Sequence, residues 1–174
     1  MTTTRDRLLD EAEALFARTG VAAVTTREIV EAAEQRNTSA VSYHFGSREG
    51  LLRAILVRRG GPIDHQRGAM RDELGEQPSL RDLVACLVVP YAAALADPGG
   101  RSYLRIVAQL RGRFAAWRVE SDATTTKGLA RILDEIELRP DASAALRRER
   151  VVALIMVMTG TIAERARTID EGLE

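Results

Sequence analysis

The stretch Val24–Leu52, VTTREIVEAAEQRNTSAVSYHFGSREGLL, decides how this chain is read. Thr25 precedes an apolar-periodic run and is followed three residues later by Glu28. That spacing is a capping box, so a helix opens there. Ile29, Val30, Ala32 and Ala33 are its apolar residues. The polar break Glu34-Gln35-Arg36-Asn37 ends it. Asn37 is the expected N-cap of a short helix over Thr38–His44. Gly46 and Ser47 close that helix, and Ser47 caps a fourth one from Arg48 with Leu51, Leu52, Ile55 and Leu56 as its buried stripe. Upstream, Leu8, Ala12, Leu15 and Phe16 share one face of a first helix that Gly20 stops.

Helix, short polar turn, short helix, glycine turn, helix is the layout that puts a second helix into the major groove of DNA while the first braces against the backbone. The short helix has the required split. Val41 and Phe45 stand at i and i+4 and can pack inward. Thr38, Ser39, Ser42 and Tyr43 point elsewhere and suit phosphate oxygens, base edges and thymine methyl groups. Ala40 adds little bulk, so the helix can approach closely. Thr25 sits at a helix N-terminus, where free N–H groups favour an anion. Arg48 at the start of the fourth helix can point the same way. Arg36 and Asn37 lie in the turn, and Arg27 is a further donor. The competing reading is an all-helical protein–protein interaction module with a solvated polar face, since this geometry also occurs without DNA binding.

The segment resembles the N-terminal domain of the TetR family of transcriptional regulators. The residues that carry the likeness are Thr25, Ile29, Ala33, Tyr43, His44, Phe45, Arg48 and Leu51, with Ala12, Leu15, Phe16 and Gly20 in the first helix; it extends to about Ile55. The resemblance implies that Thr25, Thr38, Ser39, Ala40, Tyr43, His44 and Arg48 contact DNA. The chain departs from the family pattern where Glu34 replaces a glycine, where the turn Gln35-Arg36-Asn37 is one residue longer, and where Ser42 replaces a frequent aromatic. The resemblance further implies a bacterial repressor acting as a homodimer on a near-palindromic double-stranded operator, with a small-molecule ligand bound by the C-terminal domain.

The remaining sequence is helical in period, so the fold class is all-α. The expected division is a helix-turn-helix domain over 1–47 and a helical ligand-binding and dimerisation domain over 48–174, with the helix from residue 48 connecting them. Gly60-Gly61-Pro62 is expected to break or kink that helix, and another segment runs from Pro62 to about Leu74. Ser79 caps a helix to about Ala96, Asp97-Pro98-Gly99-Gly100 reads as a turn, and helices follow over Arg101–Phe114, Asp122–Glu137 and Ala142–Thr168. Tyr91, Tyr103, Phe114, Trp117 and Met156 are candidates for a ligand pocket, and core packing explains the same residues. Arg101, Arg105 and Arg111 are candidates for an acidic ligand. In the last helix Val152, Ile155, Thr159, Gly160 and Ala163 are candidates for a dimer interface, with Gly160 permitting close approach across a two-fold axis.

Composition narrows the classes. Of the 174 residues 45% are hydrophobic, enough for a packed interior, but only 4% are aromatic, so the core must rest on Ala, Leu, Val and Ile. Lys+Arg and Asp+Glu are both 25, which excludes a uniformly basic polyanion binder and leaves room for a local basic face. Lys127 is the only lysine, so the cations are arginines suited to bidentate phosphate contact. Cys86 is single and reads as a small buried hydrophobe. Met1–Arg7 leads straight into a charged helix, so no secretory leader is expected, and Val151–Met158 is too short to span a bilayer. A cytoplasmic location follows. With only His44 and His65, and no phosphate loop, nucleophile elbow or metal-spaced cluster, neither catalysis, a cofactor nor a metal is expected.

Overall fold

Hydroxyl side chains start most of the helices. In the computed structural model, which describes residues 3–110, 126–139 and 141–173, Thr3 caps α1 (Thr4–Thr19), Thr25 caps α2 (Thr26–Ala32) and Ser47 caps α4 (Arg48–Glu73). Ser79 caps α5 (Leu80–Ala93) and Ser143 caps α8 (Ala144–Asp170). Each hydroxyl accepts a backbone N–H that would otherwise have no partner at a helix start. Between them lie α3 (Ala40–Phe45), a 3-10 turn over Ala94–Ala96, α6 (Pro98–Leu110) and α7 (Lys127–Leu138). No strand occurs among the described residues. The all-α expectation holds.

Two apolar clusters organise these helices. The N-terminal one gathers Leu8, Leu9, Phe16, Ile29, Val41, Leu51 and Ile55, and takes Ile106 from α6. The second gathers Leu83, Leu87, Leu104, Ile132, Leu133, Val151 and Ile155. Helix α4 serves both, through Leu51 and Ile55 in the first and Ile63 in the second.

The helix does not break at Gly60-Gly61-Pro62: α4 runs from Arg48 to Glu73 with Pro62 inside it. Proline has no N–H, so the carbonyl of Arg58 loses its usual partner. Tertiary contacts on both sides hold the helix through this defect. Just before it, the buried carboxylate of Glu13 accepts from Arg58 and from Arg59 (Nε 2.8 Å). Just after it, the Asp64 carboxylate accepts the backbone N–H groups of Gly128 (2.8 Å) and Leu129 (2.7 Å), at the start of α7. Gly60 also permits a close packing contact, since a Cβ there would lie 2.9 Å from the Tyr103 hydroxyl. A second internal proline, Pro90 in α5, is met differently. Arg67 donates from Nε (3.1 Å) and Nη2 (3.0 Å) to the carbonyl of Leu87, three residues before the proline ring.

Two other boundaries shift. Asp97-Pro98-Gly99-Gly100 is a helix start rather than a free turn. Asp97 Oδ2 accepts from the Gly100 N–H at 2.7 Å, and Pro98 takes the first helical position, where its missing N–H costs nothing. The short helix α3 begins at Ala40 rather than Thr38. The expected ends near Phe114 and Asp122 lie outside the described residues.

One backbone feature bears on stability. Helix α2 ends in a Schellman motif, with the Gln35 N–H on the Val30 carbonyl (2.9 Å) and the Glu34 N–H on the Glu31 carbonyl (3.0 Å). The motif needs a left-handed residue, and Glu34 supplies it at φ 55°, where the family pattern has glycine. A side chain in that region costs about 1–2 kcal/mol, partly offset by glycine's larger unfolded-state entropy. Glu34→Gly is therefore expected to stabilise the fold by about 1 kcal/mol in urea denaturation. Equal or lower stability would remove the strain argument.

Candidate nucleic-acid interface

A six-residue helix is positioned from its ends and its buried face, not by its own propensity. At the entry to α3, Asn37 Oδ1 accepts the Ser39 N–H (2.9 Å) and its hydroxyl (2.7 Å), and the Asn37 carbonyl accepts the Ala40 N–H (3.0 Å). Asn37 therefore acts as a cap one turn-step earlier than the helix itself. On the inner face Val41 is buried and Phe45 packs against the same cluster. At the exit, Gly50 lets the start of α4 lie against the Phe45 carbonyl, where a Cβ would collide. Sequence reasoning passed over Gly50; a glycine in the first turn of an otherwise regular helix was the available signal.

The outer face is open. Tyr43 is 84% exposed, with Thr38, Ser39 and Ser42 exposed around it and Ala40 and His44 half-buried. The Tyr43 ring meets the His44 ring edge-on, with centroids 4.9 Å apart. Arg36 and Asn37 are exposed in the turn. Thr25 is exposed too, but its hydroxyl donates to Glu28 Oε2 (2.7 Å) within the capping box. Those bonds hold the Glu28 carboxyl below the usual carboxylate range, so a carboxylate already answers this helix terminus.

Arg48 does not follow the expectation that it points with Tyr43. Its Nε donates to the Val24 carbonyl at 3.0 Å, Nη2 donates to the Val21 carbonyl, and its guanidinium carbon lies 5.0 Å from the centroid of the Phe16 ring. The side chain turns back to brace the loop between α1 and α2. Arg27 is exposed and paired with Glu31 at 2.7 Å.

The other candidates separate by face. Tyr91 and Tyr103 are buried, with ring centroids 6.3 Å apart, and the Arg67 guanidinium lies 5.5 Å from the centroid of the Tyr91 ring. Burial raises both phenols, Tyr103 to about 12. Met156 is 39% exposed and faces away from this cluster, so it is no lining residue of an interior pocket. Phe114, Trp117 and Arg111 lie outside the described residues. Arg101 and Arg105 engage Asp170 at 2.5 and 3.4 Å, tying α6 to α8. Of the dimer candidates, Ile155, Thr159 and Ala163 are buried in the chain's own core, and the Thr159 hydroxyl donates to the Ile155 carbonyl at 2.7 Å. Val152 is 41% exposed and Gly160 is half-buried, on the outer face with Met156 and Val157. Among the described residues, no cluster of His, Cys, Asp and Glu is set to hold a metal, and no helix is long and apolar enough to cross a membrane.

The model for bacterial regulatory proteins of the tetR family matches residues 8–55, the segment that holds the open helix face. No curated protein matches the chain. Among solved structures, Salmonella enterica GusR is similar at 19% identity and TM-score 0.53, covering 94% of this chain and 86% of that one. The SmeT–triclosan complex is similar at 24% and 0.56, covering 93% and 81%. The TetR family regulator PfmR from Thermus thermophilus is similar at 20% and 0.50, covering 97% and 96%. At these identities the likeness establishes the fold. The family match covers the helix-turn-helix itself, and with it the reading as a mere interaction module is not favoured. Residues 8–55 match the helix-turn-helix domain of the tetR family of bacterial regulatory proteins, and the rest of the chain shares the all-helical fold of these structures.

Proposed function

We propose that this protein is a homodimeric repressor that grips a near-palindromic double-stranded operator with α3 and lets go when a small molecule occupies its helical domain. The observation that carries the reading is the split of α3, with Val41 at 1% exposure on one side and Tyr43 at 84% on the other. A six-residue helix anchored by one face and bare on the other is suited to insertion into a groove. Tyr43, Ser39, Ser42 and Thr38 would meet bases and sugar-phosphate, with Arg36, Asn37, Ala40, His44 and Thr25 at the margin. A chromosomal target implies a cytoplasmic location.

Dimerisation supplies the second helix. Val152, Met156 and Gly160 recur at four-residue spacing on the outer face of α8, with Val157 beside them, and a two-fold axis along that stripe would bury it. Two α3 helices about 34–36 Å apart would enter successive major grooves. Residues 48–174 then form the ligand-binding and dimerisation part, with α4 as the connecting helix. SmeT, one of the similar structures, was solved with triclosan, which motivates a small organic ligand here. A ligand can shift DNA affinity only through differential binding to two states. Helix α6 offers a route, because Gln109 Nε2 donates to the Phe16 carbonyl (3.0 Å) and its Oε1 accepts the Val21 N–H (2.6 Å), joining the helical domain to the C-terminal end of α1 and the loop after it.

Selection from a random duplex pool should enrich a palindrome. Tyr43→Ala is expected to abolish binding to that operator in a gel shift while leaving the thermal transition unchanged; retained affinity would exclude α3 as the reading helix. Arg48→Ala is expected to lower stability by about 2 kcal/mol, the scale of charge-assisted hydrogen bonds to carbonyls, without altering the salt dependence of DNA binding. A flattened dependence would mean that Arg48 leaves its brace to reach phosphate. Val152→Glu is expected to yield monomers by sedimentation, with operator affinity lost; an intact dimer would move the interface elsewhere.

A further inference from the structure

The DNA-binding domain has a second concave surface that the helix-turn-helix pattern does not account for. A groove of 370 Å³ runs between α1 and α4, with Leu9 and Ala54 among its lining and with Arg5, Arg53 and Arg58 around it. Its position is set by Arg5, whose guanidinium carbon lies 5.0 Å from the centroid of the Phe45 ring, the last residue of α3. Arg5 thus joins the rim of the groove to the C-terminal end of α3.

Charge distinguishes it. Arg5 and Arg53 are exposed, and among the described residues neither is held in an ion pair or hydrogen bond. Arg58 is already engaged, by Asp10 (2.7 Å) and by Glu13. The acid of the groove is Asp6, whose carboxylate accepts the Thr3 hydroxyl (2.6 Å) and N–H (3.3 Å) at the start of α1, where N–H groups balance its charge. Arg5 stands in the first turn of α1, the end of a helix where a cation is unfavourable. Among the described residues its side chain meets the Phe45 ring, which leaves the N–H donors of the guanidinium open to an external acceptor.

From this arrangement we propose that Arg5 and Arg53 form a phosphate clamp beside the recognition helix. The inference rests on the reading of α3 as the groove-entering helix. A helix with its side chains is about 10–12 Å across and the major groove is about 12 Å wide, so a helix lying in it fills it. Cations set beside the helix end then meet the sugar-phosphate wall rather than base edges. They would position the domain on any sequence and carry no base preference.

The test uses the full-length protein with two duplexes of equal length, the selected operator and an unrelated sequence, titrated over a range of salt concentrations. Since each substitution removes one contact from both subunits of the proposed dimer, Arg5→Gln and Arg53→Gln are each expected to reduce the slope of log affinity against log salt by about 1.8, and the double variant by about 3.6. At about 0.1 M salt each single change is expected to weaken both duplexes on the order of 50-fold. Arg7→Gln, on the other side of α1 and outside the groove, is expected to leave the slope unchanged. Both arginines are exposed, and an unchanged thermal transition checks that the variants fold. Wild-type binding with an unaltered slope in the double variant would overturn this inference alone, as would a loss confined to the operator. If the wild-type chain bound neither duplex, the parent reading would fall and take this one with it.

Discussion

A helix of six residues has no stability of its own, and the function proposed for this chain depends on holding one in place. Nucleating a turn fixes several dihedrals for a single hydrogen bond, and α3 is too short to recover that cost by propagation. Its position comes from outside: Asn37 caps the entry, Val41 and Phe45 anchor one face, and Gly50 allows α4 to close against the exit. Arg48 braces the other side by gripping the Val21 and Val24 carbonyls and stacking on Phe16. Every anchor lies on the inner face or at an end, and Tyr43 is left open because nothing on the outer face is needed for folding.

The same economy governs α4. One continuous helix belongs to both apolar clusters, so a change in the second cluster has a rigid path to the first. Pro62 sits between the two parts, flanked by the Glu13 contacts to Arg58 and Arg59 and by the Asp64 cap on α7. Arg59 also reaches Asp97 at 3.2 Å, and Asp97 starts α6. Helix α6 returns to the DNA-binding domain through Ile106 and Gln109. The two halves are thus joined at α4 and at α6, and a proposed ligand among the buried helices would act on both joints at once.

Much of this was legible in the residues. The caps at Thr25 and Ser47, the stop at Gly20 and the inward pair Val41 and Phe45 follow from local rules that tertiary contacts reinforce. Three features were not legible, each for a physical reason. Gly60-Gly61-Pro62 reads as a break because local rules take no account of Glu13, which is far away in sequence and supports the turn before the proline. The destination of Arg48 was open because a long side chain at a helix start can swing to either side, and the carbonyls it chose carry no sequence signature. In α8 both Ile155–Thr159 and Val152–Met156–Gly160 recur at helical spacing, so periodicity marks two apolar faces without saying which one faces the core. Glu34 is the converse case: the family's glycine at this place corresponds to a left-handed backbone that this chain adopts with a glutamate.

Net charge, finally, is the wrong quantity for judging whether such a chain can bind DNA. Its acids and bases balance, and several of the ion pairs among the described residues lie in the helical core rather than at α3. Arg71 pairs with Glu135, Arg101 with Asp170, and Arg59 with Glu13, all bridging helices within the fold. Two carboxylates inside the DNA-binding domain are occupied as well, Asp6 and Glu28 by the capping boxes of α1 and α2. A polyanion senses the field within about a Debye length, roughly 10 Å at 0.1 M salt, and not the sum over the molecule. What matters is which cations the fold leaves outside its own ion pairs and carbonyl braces, and among the described residues near α3 these include Arg36, Arg5 and Arg53. A neutral chain can therefore present a cationic edge to the duplex, and its weak overall charge limits attraction to nucleic acid at every other face.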